Sequence, residues 1–272
     1  MPELKNKRSV VTGASSGIGA DMARTLASWG SGLLLVARRA DRLEALAAEL
    51  RSAHGVDVDC AAIDLATPDG PRALFDAAYA GGAEVDILIN NAGFGDFHGY
   101  CDVPWERHAQ MIQLNVATLA ELSHRFGARM LARDTRCHIL NVGSVVAYLP
   151  IPNFVNYCAT KAYVRSFSEA LAAELAGTNV RETCLSPGAT KTEFLDVAGQ
   201  RIGSSQQRFL MSSHKVAMIG LNAMLRGKRN VVTGGSNKLV TFMTRLLPRR
   251  TLAWSSRKVL GRPAPALPEV SS

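Results

Sequence analysis

Cysteine is scarce in this chain and follows no pattern. The five residues, Cys60, Cys101, Cys137, Cys158 and Cys184, are odd in number, scattered and free of Cys-x-x-Cys spacing. That excludes a disulfide framework and a zinc site of ordinary spacing, and it points to a reducing compartment. No apolar run approaches the ~20 residues of a membrane-spanning helix. The opening MPELKNKRSV has no apolar stretch of the kind a secretory leader needs, so a cytoplasmic protein is expected. Charge of one sign is also missing locally: residues 224–272 carry ten Lys or Arg and only Glu269, whereas residues 1–223 carry 21 basic and 22 acidic residues. The net charge of +8 therefore belongs to the C-terminal segment. No helix-turn-helix, zinc-finger or RNA-binding motif accompanies it, so nucleic acid is not an expected partner. With 47% hydrophobic and 20% charged residues, the rest has the make-up of a chain with a substantial core.

What is present is alternation. Short β-rich or continuously apolar runs fall at residues 9–12, 32–37 (GLLLVA), 56–63, 85–90, 137–142, 180–185 and 230–233. Between them lie stretches of helical period. Leu43, Leu46, Ala47 and Leu50 form one helix face. Pro68 is expected to open a helix reaching Ala80, and further helices are predicted over 17–30, 104–133, 156–176, 192–211 and 213–226. Strands alternating with helices imply a parallel, doubly wound α/β sheet. No linker interrupts residues 1–235, which read as one domain; residues 236–262 read as a basic amphipathic extension and 263–272 as a flexible tail.

Ligands of such sheets bind beyond the strand C-termini, so the residues there matter most. After the first strand come Gly13, Ser15, Ser16, Gly17, Ile18 and Gly19. These glycines permit a tight turn and close approach to a phosphate, and the following helix offers free amides to it. The spacing is G-x-x-x-G-x-G, not G-x-G-x-x-G. After the second strand stand Arg38 and Arg39 where a carboxylate would select NAD, which favours the 2′-phosphate of NADP(H). Ser15 could add a hydroxyl to that phosphate. Asp64 and Leu65 follow the third strand, and Asp64 would either meet an adenine amino group or hold a turn. Asn91, Ala92 and Gly93 close the fourth strand, Ser144 the fifth, and Pro187, Gly188, Thr190 and Thr192 follow the sixth. Tyr157 and Lys161 lie one helical turn apart, and Asn115 sits inside a long helix, where Asn is a poor helix former.

Taken in order, these segments resemble the short-chain dehydrogenase/reductase family, classical branch. The resemblance spans residues 6–233 and rests on Gly13–Gly19, Asn90–Gly93, Pro187–Thr192 and the set Asn115, Ser144, Tyr157, Lys161. It implies a Rossmann-like fold of about seven strands in the order 3-2-1-4-5-6-7, hydride transfer to or from a nicotinamide, and the NADP-preferring type. Tyr157 would be the general acid/base. A neighbouring Lys161 ammonium would lower the phenol's pKa and also bond the ribose. Ser144 would orient the substrate oxygen, and Asn115 would hold a water near Lys161. One departure is Gly143, where many relatives carry Ser.

Phe94, Phe97, Val145, Val146, Tyr148, Leu149, Ile151, Phe154, Phe194 and Leu195 are expected to wall an apolar substrate pocket, with several of them doubling as core. A small carbonyl or alcohol is the expected substrate. A 3-oxoacyl thioester and a non-catalytic NADP-binding regulator are the alternatives. The stripe Leu239, Val240, Phe242, Met243, Leu246, Leu247 lies among basic residues. Three readings are open for it: packing on its own domain or across a homodimer or homotetramer, peripheral contact with an anionic membrane, or attraction of an acidic partner.

Overall fold

A strand covered by helices on both faces needs an unbroken apolar run, and GLLLVA supplies one at the second strand of the computed structural model, which describes residues 3–199 and 210–260. In chain order the elements are β1 (Arg8–Thr12), α1 (Gly17–Ser28), β2 (Gly32–Ala37), α2 (Ala40–His54), β3 (Val58–Ala62), α3 (Gly70–Ala78), β4 (Ile87–Asn90) and α4 (Trp105–Ile112). A π-helical turn (Gln113–Thr118) then leads into α5 (Leu119–Leu131), β5 (Cys137–Val142), α6 (Val155–Glu174), β6 (Val180–Ser186), β7 (Thr190–Lys191) and α7 (Phe194–Val197). Finally come β8 (Met211–Ser212), α8 (Ser213–Leu225), β9 (Asn230–Val232), α9 (Gly235–Met243) and α10 (Arg249–Leu260). The main sheet has seven parallel strands in the order β3-β2-β1-β4-β5-β6-β9.

Alternation along each strand divides the core in two. Val11, Leu33 and Leu35 join Met22, Leu26 and Leu221 on one face. Val10, Leu34 and Leu88 join Phe126 and Met130 on the other. Each fully buried Leu or Phe contributes about 1.5–3 kcal/mol of transfer free energy. One polar ladder crosses the sheet. The Asn90 amide donates to Ser123 Oγ (3.1 Å) and Asn141 Oδ1 (2.9 Å), and the Asn141 amide donates to Ser168 Oγ (3.0 Å) and Glu182 Oε1 (3.1 Å). Burial pushes the Glu182 carboxyl up to about 9, against the hydrogen bonds from Ser168 and Asn141.

Several sequence expectations need correction. The helix predicted to open at Pro68 begins at Gly70 with Pro71 in its first turn, because a turn stapled by Thr67 N–H to Asp64 O comes first. The long helix expected over 104–133 is interrupted by the π turn that holds Asn115. The helix expected over 192–211 is a single turn, α7, followed by Gly199 at φ +69°, a left-handed conformation that stops it. Met211–Ser212 instead pairs with Thr190–Lys191, and residues 200–209 lie outside the described residues. The C-terminal extension forms two helices, not one, divided at Pro248, where a helix interior is disfavoured. It packs on its own domain through buried Thr241, Leu252 and Ser256, whose hydroxyl donates to Pro150 O (3.0 Å). The expected tail at 263–272 lies outside the described residues. No helix among the described residues is long and apolar enough to cross a membrane.

Candidate active site

The C-terminal ends of the parallel strands open into a cleft of about 1050 Å³. Gly13 and Gly17 bound one end at φ +67° and +55°, the left-handed region that only glycine enters freely. A Cβ on Gly19 would stand 2.3 Å from Gly13 O, so the turn closes only without a side chain. Helix α1 starts here with no side-chain cap bond from Ser16 and no acid in its first turn. Its free amides and positive dipole end therefore face the cleft. Asn91 also lines the cleft, and its side chain braces the glycine turn. Its amide donates to Thr12 O (2.9 Å) and Gly13 O (3.2 Å), which ties the glycine turn to β4.

Ser15, Ser16, Gly17, Ile18, Arg38, Arg39, Asp64, Leu65, Ala92, Gly93, Pro187, Gly188, Thr190 and Thr192 all line this cleft, as do Phe94, Val146, Phe154 and Phe194 further along it. Gly19 lies behind the turn and does not line the cleft. Asp64 takes the turn-holding role: its Oδ1 accepts the Ala66 N–H at 2.9 Å. Arg38 is exposed, whereas Arg39 donates to Ser15 Oγ (3.1 Å) and to Glu193 Oε2 (3.0 Å).

Deeper in, Tyr157 and Lys161 share one face of α6, and both are buried. The Tyr157 ring packs between Phe154 (centroids 4.5 Å apart) and Phe194 (5.2 Å), and Ser144 stands beside its hydroxyl. Ser144 Oγ also accepts the Val146 N–H at 3.3 Å. Lys161 Nζ donates to Val142 O at 2.8 Å, and burial lowers its pKa to about 8. Burial also raises the phenol of Tyr157 above its usual range, with Ser144 opposing. This corrects the expectation of a phenol made acidic by the ammonium. Nζ lies 5.7 Å from the ring centre, and the loss of water around the hydroxyl outweighs a cation at that distance.

Asn115 lies behind these groups rather than in the cleft. Its amide donates to Phe94 O (2.9 Å) and Thr160 Oγ1 (3.2 Å), and its Oδ1 accepts the Phe94 N–H (3.2 Å). A Cβ built on Gly93 would stand 2.9 Å from Asn115 Oδ1 and 3.6 Å from Lys161 Nζ, so the three groups converge there. The π turn explains how a poor helix former is tolerated and why its side chain reaches the β4 loop.

The apolar wall is only partly as expected. Phe97 is core, and Tyr148 turns away, its hydroxyl accepting from the Asn230 amide at 3.1 Å with Arg165 stacked on its ring. In their place α9 contributes Leu239, Val240 and Met243, the link that follows it Leu247, and α10 Leu252. The stripe's periodicity showed in the sequence, but the direction it faces did not. A second cluster went unrecognised: buried Asp96 accepts from His98 and Arg107, and Arg107 also donates to Val197 O (3.4 Å). It fastens the loop after β4 to α7.

Comparison with known proteins agrees with this geometry. Residues 7–202 match the short chain dehydrogenase family. An uncharacterized oxidoreductase of Myxococcus xanthus is 30% identical over 95% of this chain and 100% of its own length. A short-chain dehydrogenase from Sphingobium yanoikuyae, solved in complex with NADPH, superposes with a TM-score of 0.78 at 32% identity, covering 88% of this chain and 94% of that one. A relative from Burkholderia phymatum, solved with NAD, superposes with a TM-score of 0.79 at 27% identity, covering 89% and 94%. Glycine turn, buried Ser–Tyr–Lys cluster and seven-stranded order coincide with a match across most of the chain: it belongs to the short-chain dehydrogenase family.

Proposed function

We propose that the protein interconverts a carbonyl and an alcohol on a largely apolar small molecule, with NADP(H) as its cofactor. The observation that carries this reading is the buried Tyr157, beside Ser144 and one turn from Lys161, in the cleft that the glycine turn also lines. The fit to a dinucleotide rests on the uncapped α1 amides, the Cβ-free turn and the exposed Arg38 guanidinium. When bound, the cofactor supplies or accepts the hydride at its nicotinamide C4.

The protein's own residues do the rest. Ser144 orients the substrate oxygen towards Tyr157, whose burial keeps the phenol protonated for donation as the carbonyl is reduced. Lys161 balances the phenolate left behind, and its pKa of about 8 lets it exchange protons near neutrality. Asn115 holds the loop that carries Gly93 and Phe94 beside both groups. Phe154, Phe194, Val146 and the α9–α10 roof exclude water and favour an apolar substrate.

An NADPH-oxidation screen across ketones, aldehydes, steroids and 3-oxoacyl thioesters, with NADH as control, tests the reading. Turnover restricted to the thioesters would favour the acyl-carrier alternative. Dinucleotide binding without any turnover would favour a regulator.

The outer face of the extension supports a second proposal, peripheral contact with an anionic membrane. Phe242 and Leu246 are 54% and 64% exposed, beside exposed Lys238, Arg245, Arg249 and Arg250. Flotation on anionic vesicles, compared between the whole chain and a truncation after Gly235, checks this, and equal flotation excludes it. Exposed Trp105, Ile112, Val155 and Tyr163 on α4, the π-turn junction and α6 support a homodimer or homotetramer, which sedimentation would show.

A further inference from the structure

Glu193 lies directly between the two halves of the cleft, at the start of α7. Its carboxylate is half exposed and doubly paired. Oε2 accepts from Arg39 Nη2 at 3.0 Å and Oε1 from Arg42 Nη1 at 2.5 Å. Arg39 Nη2 also donates to Ser15 Oγ at 3.1 Å. The two arginines come from the end of β2 and the start of α2, the serine from the glycine turn, and the glutamate from a segment 154 positions away in sequence. Two guanidinium groups and a hydroxyl gathered round one small dianion is the donor set of a phosphate pocket. In this chain the two guanidinium groups of that set are already occupied by a carboxylate belonging to the protein, while Ser15 Oγ accepts from Arg39.

We propose that Glu193 sets cofactor discrimination: it occupies the place of the 2′-phosphate, so a phosphorylated dinucleotide must displace it to reach Arg39, Arg42 and Ser15. The proposal deepens the NADP(H) reading and rests on it. Arg42 and Arg39 hold the carboxylate below its usual pKa, so it remains an anionic competitor at neutral pH. An unphosphorylated dinucleotide has nothing to exchange with these arginines and leaves the pair in place. The pairs are about half exposed and individually weak. The exchange therefore tunes a preference and does not forbid either cofactor. Displacement also has a mechanical result. Glu193 precedes Phe194, whose ring covers Tyr157, so the nucleotide end of the cleft is connected by one residue to the wall of the substrate end.

Calorimetric titration of the whole protein with NADP+ and with NAD+ tests this without any turnover. Glu193→Gln is expected to tighten NADP+ about tenfold and to change NAD+ less than about twofold. Arg39→Ala, measured alongside, is expected to weaken NADP+ and not NAD+. Weaker NADP+ binding in Glu193→Gln would mean that the glutamate positions the arginines and does not compete with phosphate, and equal changes for both dinucleotides would mean that it merely supports the fold. Either result overturns the proposal while leaving the dehydrogenase reading intact. If the unmodified protein binds neither dinucleotide, both fall together.

Discussion

Tyr157→Phe removes one oxygen and leaves the ring between Phe154 and Phe194. Turnover is expected to fall by ~10²–10⁴, the usual range for general acid–base help, with NADP+ affinity within about twofold. Steady-state rates and direct binding measured on the same preparation check both halves, and unchanged turnover would remove Tyr157 as the acid. Arg38→Ala deletes the exposed arginine at the end of β2 and is expected to weaken NADPH about tenfold more than NADH; equal losses would overturn its assignment to the phosphate. At this scale the sequence was most readable where chemistry is local: Tyr157 and Lys161 are one turn apart on one helix. It was least readable where partners meet across the fold. Nothing near Glu193 in the chain signals Arg39 or Arg42, and nothing near Asn91 says that its amide is taken up by Thr12 and Gly13. The rise in the Tyr157 pKa is hidden from the sequence for the same reason, since depth of burial is a property of packing.

Among the elements, β6 carries a testable liability. Glu182 is held neutral within the sheet's polar ladder, with Oε2 unpartnered among the described residues. Unfolded, its carboxyl ionises near 4.5; folded, near 9. Between these values the unfolded chain releases a proton that the folded chain keeps, so stability is greatest below about 4.5 and falls as pH rises through the window. Glu182→Gln keeps an amide in the ladder and removes the titration. Its melting temperature is expected to fall by at least ~2 °C less than that of the unmodified protein between about pH 5 and about pH 8, measured by calorimetry. Parallel melting curves would show that the carboxyl is not the cause. Strand and helix order could be read from the apolar runs, because a two-sided sheet leaves a strong signature. Helix ends set by tertiary contacts could not. The π turn at Gln113–Thr118 has the sequence of an ordinary helix, and α7 is cut short by Gly199 and by the pairing of the segment beyond it.

For the whole molecule, the cleft divides labour between the strand ends and α6, which present the glycine turn, Ser144, Tyr157 and Lys161, and the last two helices, which roof the end walled by Phe154 and Phe194. Met243→Asp places a carboxylate in that roof. KM for an apolar ketone is expected to rise about tenfold with kcat changed less than about twofold, because uniform substrate binding is lost while the reacting groups stay in place. A fall in kcat with unchanged KM would show that the roof acts on the chemistry instead. The charge imbalance pointed to the extension as a separate feature from composition alone, yet only the fold reveals that it closes the cleft. One practical consequence concerns handling. Because α9 and α10 stand over the entrance, trimming away the charged end of the protein would unroof the portal and distort any survey of preferred compounds. An affinity handle placed ahead of Leu4, near the start of β1 at the opposite ends of the strands, would leave the gateway untouched.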